Sequence, residues 1–343
     1  MKLGLVVGYW PSSGPPPDAL DQIRTAEDLG FDSAWTAEAY GSDCFTPLAW
    51  WGSQTSRIKL GTGITQISAR TPASTAMTAI TLDHLSGGRL ILGLGVSGPQ
   101  VVEGWYGQDY AKPLARTREY VEIVRRIVAR EEPVSYVGRH YAMPLQGGTG
   151  LGKPLKSIVR PLRTDIPIYL GAEGPKNVAL AAEIADGWLP MFFSPKADGF
   201  YREALAEGFA RPGARRAAED FEVACVVPVV PGDDVEACAD LLRPNLALYV
   251  GGMGARDRNF HKDVFERLGY GAECEKIQDA YLDGRKADAA AAVPTAMVED
   301  VYLVGPPAKI RDDLERWRET CVTTLLVAGP PPLLTQIADL AGT

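Results

Sequence analysis

Gly171-Ala172-Glu173-Gly174-Pro175-Lys176-Asn177 has the composition of an anion site. It follows an apolar run at 166–170, and Pro175 suits the first position of a helix. Backbone N–H groups at a helix start point outward, and the helix dipole favours negative charge there. Lys176 adds a full positive charge and Asn177 a donor; an ordinary capped strand-to-helix turn reads the same way. Gly93-Leu94-Gly95-Val96-Ser97-Gly98 fits the dinucleotide fingerprint GxGxxG after a strand. Pro99 follows at once, no helix opens on the third glycine, and the motif sits at the fourth strand. Its glycines are therefore read as letting a ligand lie close against the backbone. A third glycine-rich end, Gly61-Thr62-Gly63-Ile64-Thr65, closes the apolar run at 58–60. Ligands of parallel sheets bind beyond the carboxyl ends of strands, where all three turns fall.

Other side chains with chemistry are sparse. Glu38 stands just past the second strand, where barrel enzymes place catalytic groups, although a solvated loop glutamate reads the same way. Trp10, Trp105, Tyr106 and the run Met191-Phe192-Phe193 also fall at strand ends or in the loops beyond them. Planar aromatic walls suit a flat ring ligand. Arg70, Lys153 and Lys156 supply positive charge to an acidic chain. His84 shares a helical stripe with Ala73, Met77 and Ile80 and is expected to be a buried structural histidine. There is no Ser-His-Asp order, no P-loop and no zinc signature, and the three histidines form no ligand-spaced cluster, so no metal site is expected. Chemistry carried by a cofactor, which the protein binds and orients, fits this inventory.

The elements that hold these residues alternate short apolar runs with segments of helical period, the pattern of parallel βα units. Strands are expected at 2–8, 31–36, 58–60, 90–94, 166–170, 186–191, 221–230 and 323–327. Eight strands, each followed by helix, are accounted for better by a closed (β/α)8 TIM barrel than by an open sheet. Two segments break the rhythm, after strand 4 and after strand 7. Residues 133–165 contain a hairpin with its turn near Gly138 and are expected to lie over the mouth of the barrel. Residues 251–296 are helical by composition, and the preceding helix is expected to run from Gly232 to about Tyr249. The chain is read as one domain, 1–343, with these two insertions.

The 343 residues carry 43 acids against 35 bases, a net charge of −8. That balance argues against nucleic acid, whose binding needs a basic face. No apolar stretch approaches the roughly 20 residues that span a bilayer, and the amino-terminal MKLGLVVGYWP reads as a first strand. The five cysteines are widely spaced without any CxxC, which suits a reducing compartment and a cytoplasmic protein.

Thr81-Leu82-Asp83-His84-Leu85-Ser86-Gly87-Gly88-Arg89-Leu90-Ile91-Leu92-Gly93-Leu94-Gly95-Val96 resembles the third-helix to fourth-strand signature of the bacterial luciferase-like oxidoreductases. Phe31-Asp32-Ser33-Ala34-Trp35, Leu60-Gly61-Thr62-Gly63 and Ala185-Asp186-Gly187-Trp188 are similar to its other landmarks. The likeness spans essentially the whole chain, and the branch it resembles uses the deazaflavin coenzyme F420. That resemblance implies a non-prolyl cis peptide at Gly63-Ile64 supporting the coenzyme ring from behind, with Thr65 beyond it. It implies Gly95, Val96 and Ser97 beside the coenzyme tail, and Ala172, Glu173, Gly174 and Asn177 around its phosphate, next to Gly171, Pro175 and Lys176. Relatives often carry Asp-His after strand two, where this chain has Glu38-Ala39. Sugar-phosphate dehydrogenase relatives carry a glutamate after strand one, where it has Tyr9-Trp10. The expectation is hydride transfer between the coenzyme and a small organic substrate, with Glu38 handling a proton and Tyr9, Trp10 and Trp105 walling the substrate pocket. An FMN-dependent monooxygenase on the same fold is the nearest alternative, and a non-catalytic cofactor-binding protein is another. Barrels of this family pair, so a homodimer is expected by resemblance.

Overall fold

The computed structural model describes residues 1–256 and 258–342. Eight barrel strands follow in chain order: β1 Lys2–Gly8, β2 Ser33–Thr36, β3 Lys59–Thr62, β4 Leu90–Gly95, β5 Ile168–Gly171, β6 Gly187–Leu189, β7 Glu222–Val226 and β8 Thr324–Val327. Each pairs in parallel with the next, and β8 pairs with β1, so the sheet closes into a (β/α)8 barrel. A parallel strand is covered on both faces, which is why β4 reads as an unbroken buried run, Leu-Ile-Leu-Gly-Leu-Gly.

Two apolar layers result. Inside the barrel, Trp35, Ile91, Tyr169, Leu189, Ala224 and Leu326 pack together. Outside it, the strands bury against helices such as Pro72–Ser86 and Pro113–Ala129. The helix Pro72–Ser86 begins where Thr71 Oγ1 accepts the Ser74 N–H at 3.2 Å, and ends at Gly87 with φ 69°. Its inner face is not the expected stripe. Thr75, Ala76, Ala79, Leu82 and Asp83 are buried, whereas Met77 is 63% exposed and His84 lies on the surface, its Nε2 2.7 Å from the Arg160 carbonyl. Ile80 of the expected stripe is buried with Leu82, but small residues make up much of the packed face, and Met77 and His84 point out.

Both insertions differ from expectation. The hairpin forms, Tyr136–Val137 against Ala142–Met143, but the segment does not cover the mouth. Its backbone at Arg139, His140 and Tyr141 is held by the Glu119 carboxylate, and Arg163 pairs with Asp83. It is tied to the two helices that carry those acids. Lys153 and Lys156 lie on it, away from the strand ends. The expected seventh strand splits at Val227-Pro228. Val229–Pro231 leaves the barrel and pairs with Leu303–Gly305. The helix expected from Gly232 to Tyr249 is likewise two, Val235–Asp240 and Arg243–Gly251, and the second packs on Gly271–Leu282. The helical insertion thus spans 229–305 rather than 251–296. It has a core of its own, including Leu246, Val250, Phe265, Ile277 and Val304. Among the described residues no helix is long and apolar enough to cross a membrane.

At the amino ends of the strands, Asp186 is a hub. It accepts from Arg125 Nη2 at 2.9 Å, Arg215 Nε at 2.8 Å, Arg216 Nε at 2.6 Å and the Ile168 N–H at 2.8 Å. Burial alone would raise its pKa; the Arg125 charge and the Ile168 N–H outweigh burial and hold it below its ordinary value. A depressed folded pKa stabilises above the unfolded value of about 3.9, and that contribution is lost as pH falls through the folded value. Asp186→Asn should therefore cost about 3 kcal/mol at neutral pH. It should also shrink the fall in Tm between pH 5 and pH 2, measured by thermal melts of both proteins across that range.

Candidate active site at the carboxyl ends of the strands

The open end of the barrel is closed from within by Ile64. Gly63 and Ile64 are joined by a cis peptide, as the resemblance implied. The Gly63 N–H donates to the Thr36 carbonyl at 2.7 Å, and Thr62 Oγ1 bridges the Gly93 N–H and carbonyl, each at 2.8 Å. The Ile64 side chain rests between two of the glycines singled out above. A Cβ on Gly95 would come within 2.8 Å of it, and one on Gly171 within 3.0 Å. The glycines of GxGxxG thus serve close packing: a Cβ on Gly93 would lie 1.8 Å from the Thr62 carbonyl oxygen. Beyond Ile64, Thr65–Gln66 pairs with the end of β4. Val96 and Ser97 continue from there, Ser97 with a left-handed φ of 59°.

Glu38 occupies a different place from the one expected of a proton donor. It is 6% exposed, and Arg70 Nη1 lies 2.5 and 2.6 Å from its two oxygens. The Cys44 thiol donates to Oε2 at 3.1 Å and sits 3.0 Å from Thr65 Oγ1. Burial, then the Glu38 charge, pushes the Cys44 pKa well above its ordinary value, so it remains a thiol donor and not a nucleophile. Burial would lower the Arg70 pKa; the Glu38 hydrogen bonds and charge outweigh it and raise it. Gln66 Nε2 also donates to the Glu38 carbonyl at 2.9 Å. The carboxylate is therefore an anchor, tying the end of β2 to the segment that carries Ile64 through Arg70.

On the other side of Ile64, the helix Pro175–Ile184 presents its amino end. Gly174 precedes it in extended conformation, no side chain caps it, and nothing lies within 4 Å of where a Gly174 Cβ would be. Lys176 is exposed beside this opening, with Asn177 partly so. Ala172 contributes no polar side chain; its carbonyl accepts from Trp188 Nε1 at 2.8 Å. The Glu173 carboxylate turns away from the helix end, and Oε1 accepts the Met191 N–H at 3.0 Å.

Tyr9 and Trp105 stand at the rim, 46% and 65% exposed, with Tyr40 6.5 Å from Trp105 between ring centroids. Burial and then Tyr40 raise the Tyr9 pKa. Trp10 Nε1 is shielded without a hydrogen-bond partner. Tyr106 donates to the Ala39 carbonyl at 2.9 Å. Phe192 and Phe193 do not form the expected wall. Phe193 packs on Trp188, Tyr201 and Trp317, and Phe192 on Tyr249 and Phe265 in the insertion core. They are buried because the chain turns inward after β6, not along the rim. Sequence reasoning missed Tyr40, Tyr249 and His261. Tyr249 and His261 come from the insertion and meet Glu173 across more than seventy residues of chain, a separation that leaves no local pattern.

The luciferase-like monooxygenase family model matches residues 3–324. A Mycobacterium tuberculosis protein provisionally named a coenzyme F420-dependent oxidoreductase is 57% identical over 99% of this chain and 98% of its own length. A 5,10-methylenetetrahydromethanopterin reductase of Archaeoglobus fulgidus is 31% identical over 90% of this chain and 88% of its own. The solved structure of the coenzyme F420-dependent tetrahydromethanopterin reductase of Methanopyrus kandleri aligns with a TM-score of 0.81 at 26% identity, covering 98% and 97% of the two chains.

If Glu38 and Arg70 act as one anchor, their effects on stability must couple. Arg70→Met should destabilise by about 3 kcal/mol by leaving a buried carboxylate unpaired. Adding Glu38→Gln should recover at least about 1 kcal/mol of that loss. Urea unfolding of the two single variants and the double variant measures it; strictly additive losses would contradict the pairing.

Proposed function

This chain belongs to the luciferase-like monooxygenase family, in its coenzyme F420-dependent branch, and from that premise we propose that it is an F420-dependent oxidoreductase acting on a small organic substrate. The observation that carries the reading is Ile64, seated between Gly95 and Gly171 at the top of a filled barrel, with an uncapped helix amino end beside it. A flat ring resting on Ile64 meets no side chain from either glycine, and an anionic group fits the open first turn of the helix at Pro175. The residues present therefore suit a ring-plus-phosphate coenzyme. When bound, the coenzyme supplies hydride chemistry at C5 of its ring.

The chain's own residues divide that task. Gly63, Ile64 and Thr65 support the ring from behind. Gly95, Val96 and Ser97 border the tail, and Gly171 to Asn177 hold the phosphate through backbone N–H groups, Lys176 and Asn177. Tyr9, Trp10 and Trp105 wall the substrate side and shield it from water. Glu38, with Arg70 and Cys44, keeps the Ile64 segment in place. The unpaired state of all five cysteines supports a cytoplasmic setting. Titrating the apo-protein with the deazaflavin, followed by its fluorescence, should give micromolar binding. Tight FMN binding with no deazaflavin binding would overturn the choice of coenzyme.

A homodimer is part of the same reading. Trp50, Met77, Leu85 and Leu162 are exposed, and Ile158 is 96% exposed. They lie on adjoining elements: the helix Phe45–Gly52 packs on Pro72–Ser86, and Arg163 and His84 tie segment 158–163 to the latter. An apolar face of this kind suits an interface between copies. Sedimentation should show a dimer that Ile158→Asp together with Trp50→Asp converts to monomer.

A further inference from the structure

Hydride transfer to or from a carbon that bears oxygen needs a proton partner, and Glu38 is occupied by Arg70 and Cys44. One other acid–base pair stands at the strand ends. His261 lies at the start of the helix Phe260–Arg267, where Asn259 Oδ1 caps the His261 N–H at 3.0 Å. Its ring is held edge-on by Tyr249 at 5.0 Å and Phe192 at 5.7 Å. Nδ1 lies 3.7 Å from Glu173 Oε1. Nδ1 and Glu173 Oε2 are both shielded from solvent and have no hydrogen-bond partner, whereas His261 Nε2 is not among the shielded atoms. The other two histidines are elsewhere: His84 on the outer helix face and His140 in the outer hairpin.

We propose that His261 is the proton-handling residue for an alcohol/carbonyl substrate, with Glu173 as its positioning residue. Two shielded polar atoms without partners are costly to keep, and a small turn of either side chain joins them. The carboxylate then accepts the Nδ1 proton, which leaves the Nε2 lone pair free to take a proton. Tyr249 connects the two sides: burial raises its pKa first, then Tyr9 and Glu173. In oxidation the substrate O–H proton passes to Nε2 while the C–H electron pair leaves as hydride to the deazaflavin. The C–H and O–H bonds break and the C=O bond forms; in reduction the imidazolium returns the proton. The imidazolium is stabilised by Glu173, the orienting logic of a carboxylate behind a histidine base. This inference rests on the F420-dependent reading above.

The groups facing His261 are few. Glu173 is the nearest charge, and Tyr249 meets the ring edge. Asp263 follows on the same helix, and Lys262 is committed to Gln278 and Glu266. Arg267 reaches the Glu173 carbonyl at 3.4 Å, and Tyr9 and Tyr40 lie beyond Tyr249.

The test begins with the coenzyme-free protein. Imidazole NMR of wild type and Glu173→Gln should show His261 held as the Nδ1–H tautomer by the carboxylate and released from it in the variant. In the loaded enzyme, His261→Asn and His261→Gln should each lower kcat/KM by about 100-fold or more. Both should bind the deazaflavin as wild type does, by fluorescence. Glu173→Gln should move the limb of the pH–rate profile that the His261 variants abolish. An imidazole spectrum indifferent to Glu173→Gln, or His261 variants with wild-type rate and pH profile, overturns the proposal. Failure of the wild type to bind the deazaflavin would instead sink the coenzyme reading and this role with it; the imidazole NMR, which needs no coenzyme, tells the two failures apart.

Discussion

The interior of this barrel is filled, and most of what is special about the molecule follows from that. Trp35 lies across the axis, its Nε1 bonded to Ser33 Oγ at 2.8 Å and its ring 5.8 Å from Tyr169. Neighbouring strands yield to it with glycine: a Cβ on Gly61 would lie 2.2 Å from the Trp35 ring. With Ile91, Leu189, Ala224 and Leu326 around these rings, no room remains inside for a ligand. Chemistry is displaced to the layer above, whose floor is Ile64. That floor is flat for the same reason the core is tight, because Gly95 and Gly171 add nothing beside it.

The two ends of the barrel use charge differently. At the amino ends, Asp186 gathers three guanidinium groups and ties helices to strands. At the carboxyl ends, Glu38 and Arg70 do similar work for one loop. Glu173, by contrast, keeps Oε2 unpartnered while Oε1 lies 3.7 Å from the unpartnered Nδ1 of His261. A buried polar atom without a partner is costly, so an acid and an imidazole that both keep one at the rim, where barrel enzymes place their chemistry, point to a use beyond packing.

Much of this was legible in the chain. The alternation of short apolar runs with segments of helical period carries the eight βα units, and the run from Thr81 to Val96 carries the family. The glycine-rich turns were located correctly as strand ends, but the physical reason for several of the glycines was not visible: Gly93 makes space for Thr62, and Gly95 and Gly171 make space for Ile64. The failures share a cause. His84 and Met77 looked inward because the stripe was drawn through Ile80, which is buried, while the rest of the packed face is made of Thr75, Ala76, Ala79 and Leu82. Glu38 looked free because Arg70 is thirty-two residues away. Val229–Pro231 looked like the end of a barrel strand because β-branched residues serve either sheet equally well. The helical insertion hid its own core, and with it His261, because helices read alike whether they cover a barrel or one another.

The account stands on Ile64 as a coenzyme floor flanked by the open amino end of the helix Pro175–Ile184. A crystal structure of the protein with the deazaflavin bound tests it most directly. The ring should lie against the Ile64 side chain, between Gly95 and Gly171, with the phosphate at the Lys176 N–H and the substrate-facing side toward Tyr9 and His261. A ring placed elsewhere on the barrel, or a phosphate held away from that helix end, would contradict it.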